Sequence, residues 1–219
     1  MNCYLCEQEL PFLPSWRGLF LNEIQQVVCE RCKGGFEKIN GTVCPICSAP
    51  SDSLCKDCMH WETTEYAALL QCGKSLYYYN KPMQNYLHRY KFLQDVVLSE
   101  VFASELQEEL GKTKATIVPI PMHPDKLRER TFSQVDQMLE AAGLSYLHLL
   151  AKSKQVQGKK TKKERMASSD LFTWNGITVP EKILLIDDLY TTGTTIRHAA
   201  KVLKRAGAAE ISFFSLIRS

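Results

Sequence analysis

Asp187-Asp188-Leu189-Tyr190-Thr191-Thr192-Gly193-Thr194-Thr195, arriving directly after the apolar run Ile183-Leu184-Leu185-Ile186, is the stretch whose reading decides the fold. Four apolar residues without alternation suit a strand buried on both faces of a parallel sheet, and such sheets hold ligands beyond the carboxyl ends of their strands. The two aspartates stand at that end. Small hydroxyl residues around a single glycine follow, turning into a helix whose free N–H groups and positive dipole end attract an anion. The segment has neither the Walker spacing nor Gly-x-Gly-x-x-Gly, so nucleoside-triphosphate and dinucleotide loops fit poorly. Two carboxylates followed by an anion nest suit a ligand with hydroxyls, or a bound metal, beside a phosphate. Ribose 5-phosphate has that layout.

Working outward, Thr194 to Arg205 reads as a helix closed by Gly207, and Ile211 to Leu216 as a final strand. The order strand, phosphate loop, helix, strand predicts a parallel α/β sheet. Upstream, Ala115 to Ile120 is an expected strand, ended by Pro119 and Pro121. The polar, basic run from Pro121 to Gln134 follows that strand directly, a position that favours a ligand loop. Residues 132 to 142 are expected to form a helix ending at Gly143, and Tyr146 to Leu150 a short strand. From Lys152 to Arg165 the chain carries seven Lys or Arg against one Glu. Such a run is a solvated loop on the plain reading, or a basic lid over pyrophosphate or a nucleic-acid backbone.

Earlier still, Lys81 to Phe92 reads as a helix with Met83, Leu87 and Tyr90 on one face, and Val96 to Leu110 as a second amphipathic helix stopped by Gly111. Tyr66 to Gln71 and Ser75 to Tyr79, on either side of Cys72-Gly73-Lys74, are expected to form a hairpin. His88 has no nearby nucleophile partner in sequence and is expected to be solvated or locally bonded.

Eight of the nine cysteines fall in four Cys-x-x-Cys pairs within the first sixty residues: Cys3/Cys6, Cys29/Cys32, Cys44/Cys47 and Cys55/Cys58. Two such turns complete a tetrahedral thiolate shell around zinc, so eight ligands predict two structural zinc sites. Neighbouring pairs close in sequence on the favoured arrangement, with an interleaved one as the alternative. Disulfides persist poorly in reducing cytosol, and a redox dithiol needs only one pair in a βαβ unit. The lone Cys72 is expected to be a buried small hydrophobe. Composition changes near residue 62, which predicts a cysteine-rich module over residues 1–62 and an α/β domain over residues 63–219.

The 219 residues, 45% of them hydrophobic, suffice for one substantial core and a small satellite. A net charge of +3 is too small to imply a nucleic-acid partner by itself. Met1 to Cys6 offers neither a basic start nor an apolar core, and no run approaches membrane-spanning length, so a cytoplasmic protein without membrane insertion is expected.

The Asp187 to Thr195 segment resembles the signature of type I phosphoribosyltransferases, which bind phosphoribosyl pyrophosphate (PRPP). That resemblance implies that Asp187 and Asp188 hold the ribose hydroxyls, commonly with magnesium, while Thr191, Thr192, Gly193, Thr194 and Thr195 wrap the 5-phosphate. Arg128, Arg130, Lys159, Lys160, Lys162, Lys163 and Arg165 are candidates for pyrophosphate or a DNA backbone. Nearly the whole chain is similar to the ComF family of competence proteins, of the ComFC type. The matching pieces are the four cysteine pairs, Tyr90-Lys91-Phe92, Val118-Pro119-Ile120-Pro121, Arg130-Thr131-Phe132-Ser133-Gln134, Gln157 to Arg165, and the aspartate motif. The resemblance implies an N-terminal double zinc ribbon joined to a type I phosphoribosyltransferase-like parallel sheet. It also implies a role in natural transformation, handling single-stranded DNA alongside the ComFA helicase-like ATPase. An active phosphoribosyltransferase using PRPP on an unidentified acceptor is the alternative. The family usually has Arg-Gly-Phe-Asn-Gln where this chain has Arg130-Thr131-Phe132-Ser133-Gln134, and a different backbone geometry is expected there.

Overall fold

A computed structural model describes residues 1–11, 26–152 and 171–219. Four parallel strands form the main sheet in the order β1-β6-β5-β2, with β1 Gly73–Tyr78, β2 Thr116–Pro119, β5 Lys182–Tyr190 and β6 Glu210–Arg218. A separate antiparallel pair joins β3 Leu150–Lys152 to β4 Phe172–Trp174. The helices are α1 Glu30–Gly34, α2 Lys56–Trp61, α3 Lys81–Phe92, α4 Ala103–Leu110, α5 Pro124–Arg130, α6 Gln134–Ala141 and α7 Thr194–Arg205. No helix among the described residues is long and apolar enough to cross a membrane.

The central strands are apolar on both sides because both sides are covered. Ile186, Phe214 and Leu216 join a core with Met83, Leu87 and Tyr90 of α3, Leu106 of α4 and Leu139 of α6. Ile183, Leu185, Ile211 and Phe213 join another with Ile196, Ala199, Ala200 and Leu203 of α7. Burying Ile196 and Leu203 contributes about 1.5–3 kcal/mol each, which is what seats α7 on the sheet. At its far end Gly207, at φ 112°, lets the chain turn into β6.

Residues near the cysteine pairs enter these same cores. Phe36 packs its ring against those of Tyr77, Tyr86 and Phe102, and Cys44, Cys47 and Cys58 share the α7-side core. An antiparallel bridge from Lys38 to Tyr77 covers the edge of β1, with Ile39 N–H donating to the Leu76 carbonyl at 2.8 Å. An exposed edge would template unwanted pairing, so this contact also protects the sheet.

Several elements differ from the sequence reading. The expected hairpin does not form: Tyr66 to Leu70 lies in turns, and β1 pairs in parallel with β6. Gly73 begins the strand instead of making a turn, and it is glycine for packing: a Cβ there would lie 2.1 Å from the Phe213 ring and 2.4 Å from the Ile46 carbonyl. Cys72, just before this entry point, is exposed rather than buried, with its Sγ 3.3 Å from Ser212 Oγ. Val96 to Leu110 divides into a 3-10 segment, Val96–Phe102, and α4, since the tighter winding places Leu98, Ser99 and Phe102 inward. The polar run after β2 contains α5, started by Pro124 and by His123 Nδ1 accepting from Asp125 N–H at 3.2 Å. Of Tyr146 to Leu150 only Leu150 is in a strand, and that strand pairs with β4; Leu147 N–H meets the Ile117 carbonyl at 2.9 Å.

Thr131 takes the left-handed conformation, φ 67°, as the cap that ends α5. The chain therefore holds here, with a β-branched residue that disfavours it, a geometry that glycine adopts without strain. Thr131→Gly should raise the unfolding free energy by about 1 kcal/mol in urea titrations, through relief of that strain.

Candidate functional site

β5 runs through both aspartates and ends at Tyr190, and the chain then turns through Thr191 to Gly193 into α7. Successive side chains of a strand face opposite ways, so the pair diverges. Asp188 is buried on the α3 side, where Lys91 Nζ lies 2.6 Å from its Oδ2. Asp187 is half-buried, and its own Oδ1 accepts from Asp188 N–H at 2.9 Å. Burial first, and the Asp188 charge second, push its carboxyl up to about 7; Lys91, the Asp188 N–H and Lys152 act in the opposite direction. Asp187 is thus poised to release a proton on meeting a cation or hydroxyl ligand.

Gly193 opens α7 at φ 79°. A Cβ on it would lie 2.2 Å from Arg197 Nη1 and 2.2 Å from Tyr190 Oη, so the turn can close this tightly only on glycine. Thr192 and Thr194 bring their hydroxyl oxygens within 2.9 Å of each other, and Thr194 N–H makes a long 3.5 Å contact with Thr192 Oγ1. Thr191 and Thr192 are exposed, while Thr194 and Thr195 are half-buried. The first N–H groups of a helix lack an intrahelical carbonyl, and here they stand among hydroxyls beside two carboxylates.

Sequence reasoning assigned no role to the residues that hold this turn. Trp61 Nε1 donates to the Thr192 carbonyl at 2.9 Å. Arg197, 2% exposed, donates through Nη1 to Tyr190 Oη at 2.9 Å and stacks 4.8 Å over the Trp61 ring. Lys91 stood in the matching piece Tyr90-Lys91-Phe92 but was given no role, although its place directly after the core residue Tyr90 put it at the edge of the buried face.

The cysteines gather in sequential order: Cys3, Cys6, Cys29 and Cys32 form one group, Cys44, Cys47, Cys55 and Cys58 the other, each with its sulfurs within 4.8 Å of one another. Sulfurs on one tetrahedral zinc are about 3.8 Å apart, from a Zn–S bond of about 2.3 Å. Cys6 and Cys29 lie at 3.7 Å, and Cys47 and Cys55 at 3.4 Å. Backbone N–H groups of Cys29 and Cys55 point at Cys3 Sγ and Cys44 Sγ, at 3.3 and 3.4 Å. Four thiolates with N–H support fit zinc and leave no position for a reacting water, so a metal here would be structural. The second group also faces two guanidinium groups, Arg218 Nη2 at 3.8 Å from Cys47 Sγ and Arg197 Nη2 at 3.6 Å from Cys58 Sγ.

Of the basic candidates, Arg128 is paired with Asp125 on the exposed α5. Arg130 donates to Gln134 Oε1 at 3.0 Å and lies 5.4 Å over the exposed Phe92 ring. Lys159, Lys160, Lys162, Lys163 and Arg165 lie outside the described residues. His88 is exposed, with its ring 5.6 Å from that of Phe92. Tyr79, Lys81, His88, Lys91, Phe92 and Arg130 line a groove of about 450 Å³ whose lining includes no carboxylate.

These features define a parallel α/β protein with an acid pair and an anion-shaped turn towards the carboxyl ends of the strands, braced by one of two four-cysteine groups suited to a metal. No family model matches the chain. It is 39% identical over 223 residues to "Competence protein ComFC" of Streptococcus pneumoniae, covering 100% of both chains. It is 36% identical over 227 residues to "Competence protein ComFC" of Bacillus subtilis, covering 99% of this chain and 95% of that one. "Competence protein F" of Haemophilus influenzae is 23% identical over 225 residues. Among solved structures, "Structure of the allosteric regulatory enzyme of purine biosynthesis" overlaps 57% of this chain and 25% of its own, at 18% identity and a TM-score of 0.36. The chain belongs to the ComFC family of competence proteins.

Proposed function

We propose that this chain binds the 5-phosphoribosyl group, as ribose phosphate or PRPP, at the Asp187 to Thr195 site, and single-stranded DNA beside it, during DNA uptake. Residues 1–62 form a double zinc ribbon and residues 63–219 a type I phosphoribosyltransferase-like domain on this reading. Its place of action is the cytoplasm, next to the helicase-like ATPase ComFA. The observation that carries it is the turn itself. A left-handed Gly193, five residues after Asp188, opens α7, and the two carboxylates lie in the second half of a parallel strand that ends at Tyr190. In the bound state Asp187 and Asp188 accept from the ribose hydroxyls, and Thr191 to Thr195 surround the 5-phosphate. Magnesium would arrive with the pyrophosphate of PRPP and supply charge neutralisation there.

Calorimetry with PRPP and magnesium tests this directly. Wild type should bind, and an Asp187→Asn/Asp188→Asn variant should lose at least about tenfold in affinity, since hydrogen bonds to charged groups contribute roughly 1.5–3 kcal/mol each. Affinity should also rise between pH 6 and 8. Asp187, raised to about 7, is largely protonated at the lower pH and must ionise to accept from a ligand. No binding by wild type would sink the ribose-phosphate reading.

For DNA, the groove supplies charge and a stacking face together: Lys81 and Arg130 line it with Phe92, a residue 61% exposed, while Lys91 is held by Asp188. Single-strand affinity should fall steeply with salt. Neutralising Lys159, Lys160, Lys162 and Lys163 should reduce the salt slope by about 3, at roughly 0.7 per phosphate contact. Phe92→Ala should weaken binding by about 1–3 kcal/mol with the slope unchanged. An affinity indifferent to all of these changes would exclude the DNA surface.

A further inference from the structure

The two four-cysteine groups differ in what they touch. Around the first, Cys3 packs with Leu10, Val27 and Val28, and Arg89 reaches the Leu5 carbonyl at 3.2 Å. The second opens directly onto the phosphate turn. Its ligand Cys58 lies on α2, and one helical turn later the same helix delivers Trp61 to the Thr192 carbonyl. Arg197 closes the loop from the other side, with one arm 3.6 Å from Cys58 Sγ, the other on Tyr190, and its face on Trp61.

Arg197 has no freedom to drift. It is 2% exposed, and the bare α-carbon of Gly193 rests where any Cβ would strike its Nη1. The guanidinium therefore lies under the turn as a floor. Its charge also offsets the thiolates, since a four-thiolate zinc shell carries a net negative charge and a buried cation needs such a partner. Beyond Trp61 the contact continues along α7: Lys201 pairs with Glu65 at 2.7 Å and lies 4.9 Å over the Tyr66 ring.

We propose that metal at the second four-cysteine group sets the geometry of the phosphate turn, and that Trp61 and Arg197 are the positioning residues that couple the two sites. This rests on the ribose-phosphate reading of the turn. Coupling between sites is reciprocal, so a phosphate ligand must tighten the hold on that metal by the same factor as the metal tightens the hold on the ligand. Among the described residues the first group makes none of these contacts, and it serves as a control within the molecule.

The test uses the full chain loaded with zinc, and ribose 5-phosphate as the probe. Zinc affinity is measured at equilibrium by competition with a chromogenic chelator, with and without saturating ribose 5-phosphate, while calorimetry gives the affinity for the probe. Of the two zinc ions, one should be held about tenfold more tightly when the probe is bound, and the other with unchanged affinity. Trp61→Phe, which keeps the ring and removes the donor to Thr192, should weaken the probe about five- to tenfold and abolish the tightening. Its zinc content should stay at two per chain. Arg197→Lys should behave likewise, because a lysine cannot span Tyr190, Cys58 and the Trp61 face together. If wild type binds ribose 5-phosphate and neither zinc is held more tightly, the coupling is refuted. Trp61→Phe with wild-type affinity and intact tightening would refute the role of that residue. Absence of probe binding by wild type would instead overturn the site reading itself.

Discussion

Gly193→Ala should abolish measurable ribose 5-phosphate binding and lower the unfolding free energy by about 2–5 kcal/mol. The first contribution is backbone strain, since an L-residue held in the left-handed region costs about 1–2 kcal/mol. Steric conflict adds to it: the new methyl would lie 2.2 Å from both Arg197 Nη1 and Tyr190 Oη. Ordinarily the end of an arginine could swing aside. Here it is fixed by Tyr190, Cys58 and Trp61, so the turn must lift instead, and overpacking of this kind costs about 1–3 kcal/mol more. Lifting the turn moves the N–H groups and hydroxyls of Thr192 and Thr194 away from the anion. Calorimetry and urea unfolding report the two losses separately. Near-wild-type values in both would mean that Arg197 is not the rigid floor its contacts describe.

Chelation of zinc-loaded protein should have the other large effect, and it should differ between the two cysteine groups. Cys44, Cys47 and Cys58 are packed into the core that α7 shares with the main sheet. Stripping that site leaves thiolates a few ångströms apart without their cation, and structural zinc is worth about 10–16 kcal/mol in small zinc-dependent folds. The expected outcome is a fall in the melting temperature of more than about 10 °C on chelation, with loss of the sheet signal in circular dichroism. Cys58→Ser should reproduce most of this. Cys3→Ser should cost less, because its group packs in a separate small cluster with Leu10, Val27 and Val28. A chelated protein whose main transition is unmoved would show that the cysteine groups contribute nothing to the stability of the sheet.

Much of the site was legible in the sequence because it is local. A both-faces-buried strand, an acid pair, a glycine turn and an amphipathic helix follow one another without interruption, and each obeys a short-range rule: no alternation, carboxylates at the strand end, left-handed glycine, period of 3.6. Thr194 to Arg205 accordingly forms the expected helix, end to end. The cysteine grouping was readable for the same reason, since a Cys-x-x-Cys turn is a two-ligand unit and neighbouring units meet first. Errors arose where a local signal had a distant cause. Gly73 looks like a turn residue, yet it is glycine because Phe213 and the Ile46 carbonyl come too close for anything larger.

The sequence by itself determined the chemistry offered at the strand ends and the two sets of thiolates, because neighbouring residues in one register carry both. Tertiary structure alone decided who holds them in place. Lys91 neutralises Asp188 from a helix 97 residues earlier, and Trp61 reaches Thr192 across 131 positions of chain. Such pairings depend on how the cysteine module and α3 lie against the sheet, and this docking is set by the summed burial of many side chains. No single motif encodes it, which is why the anion turn could be read in one line of sequence and its floor could not.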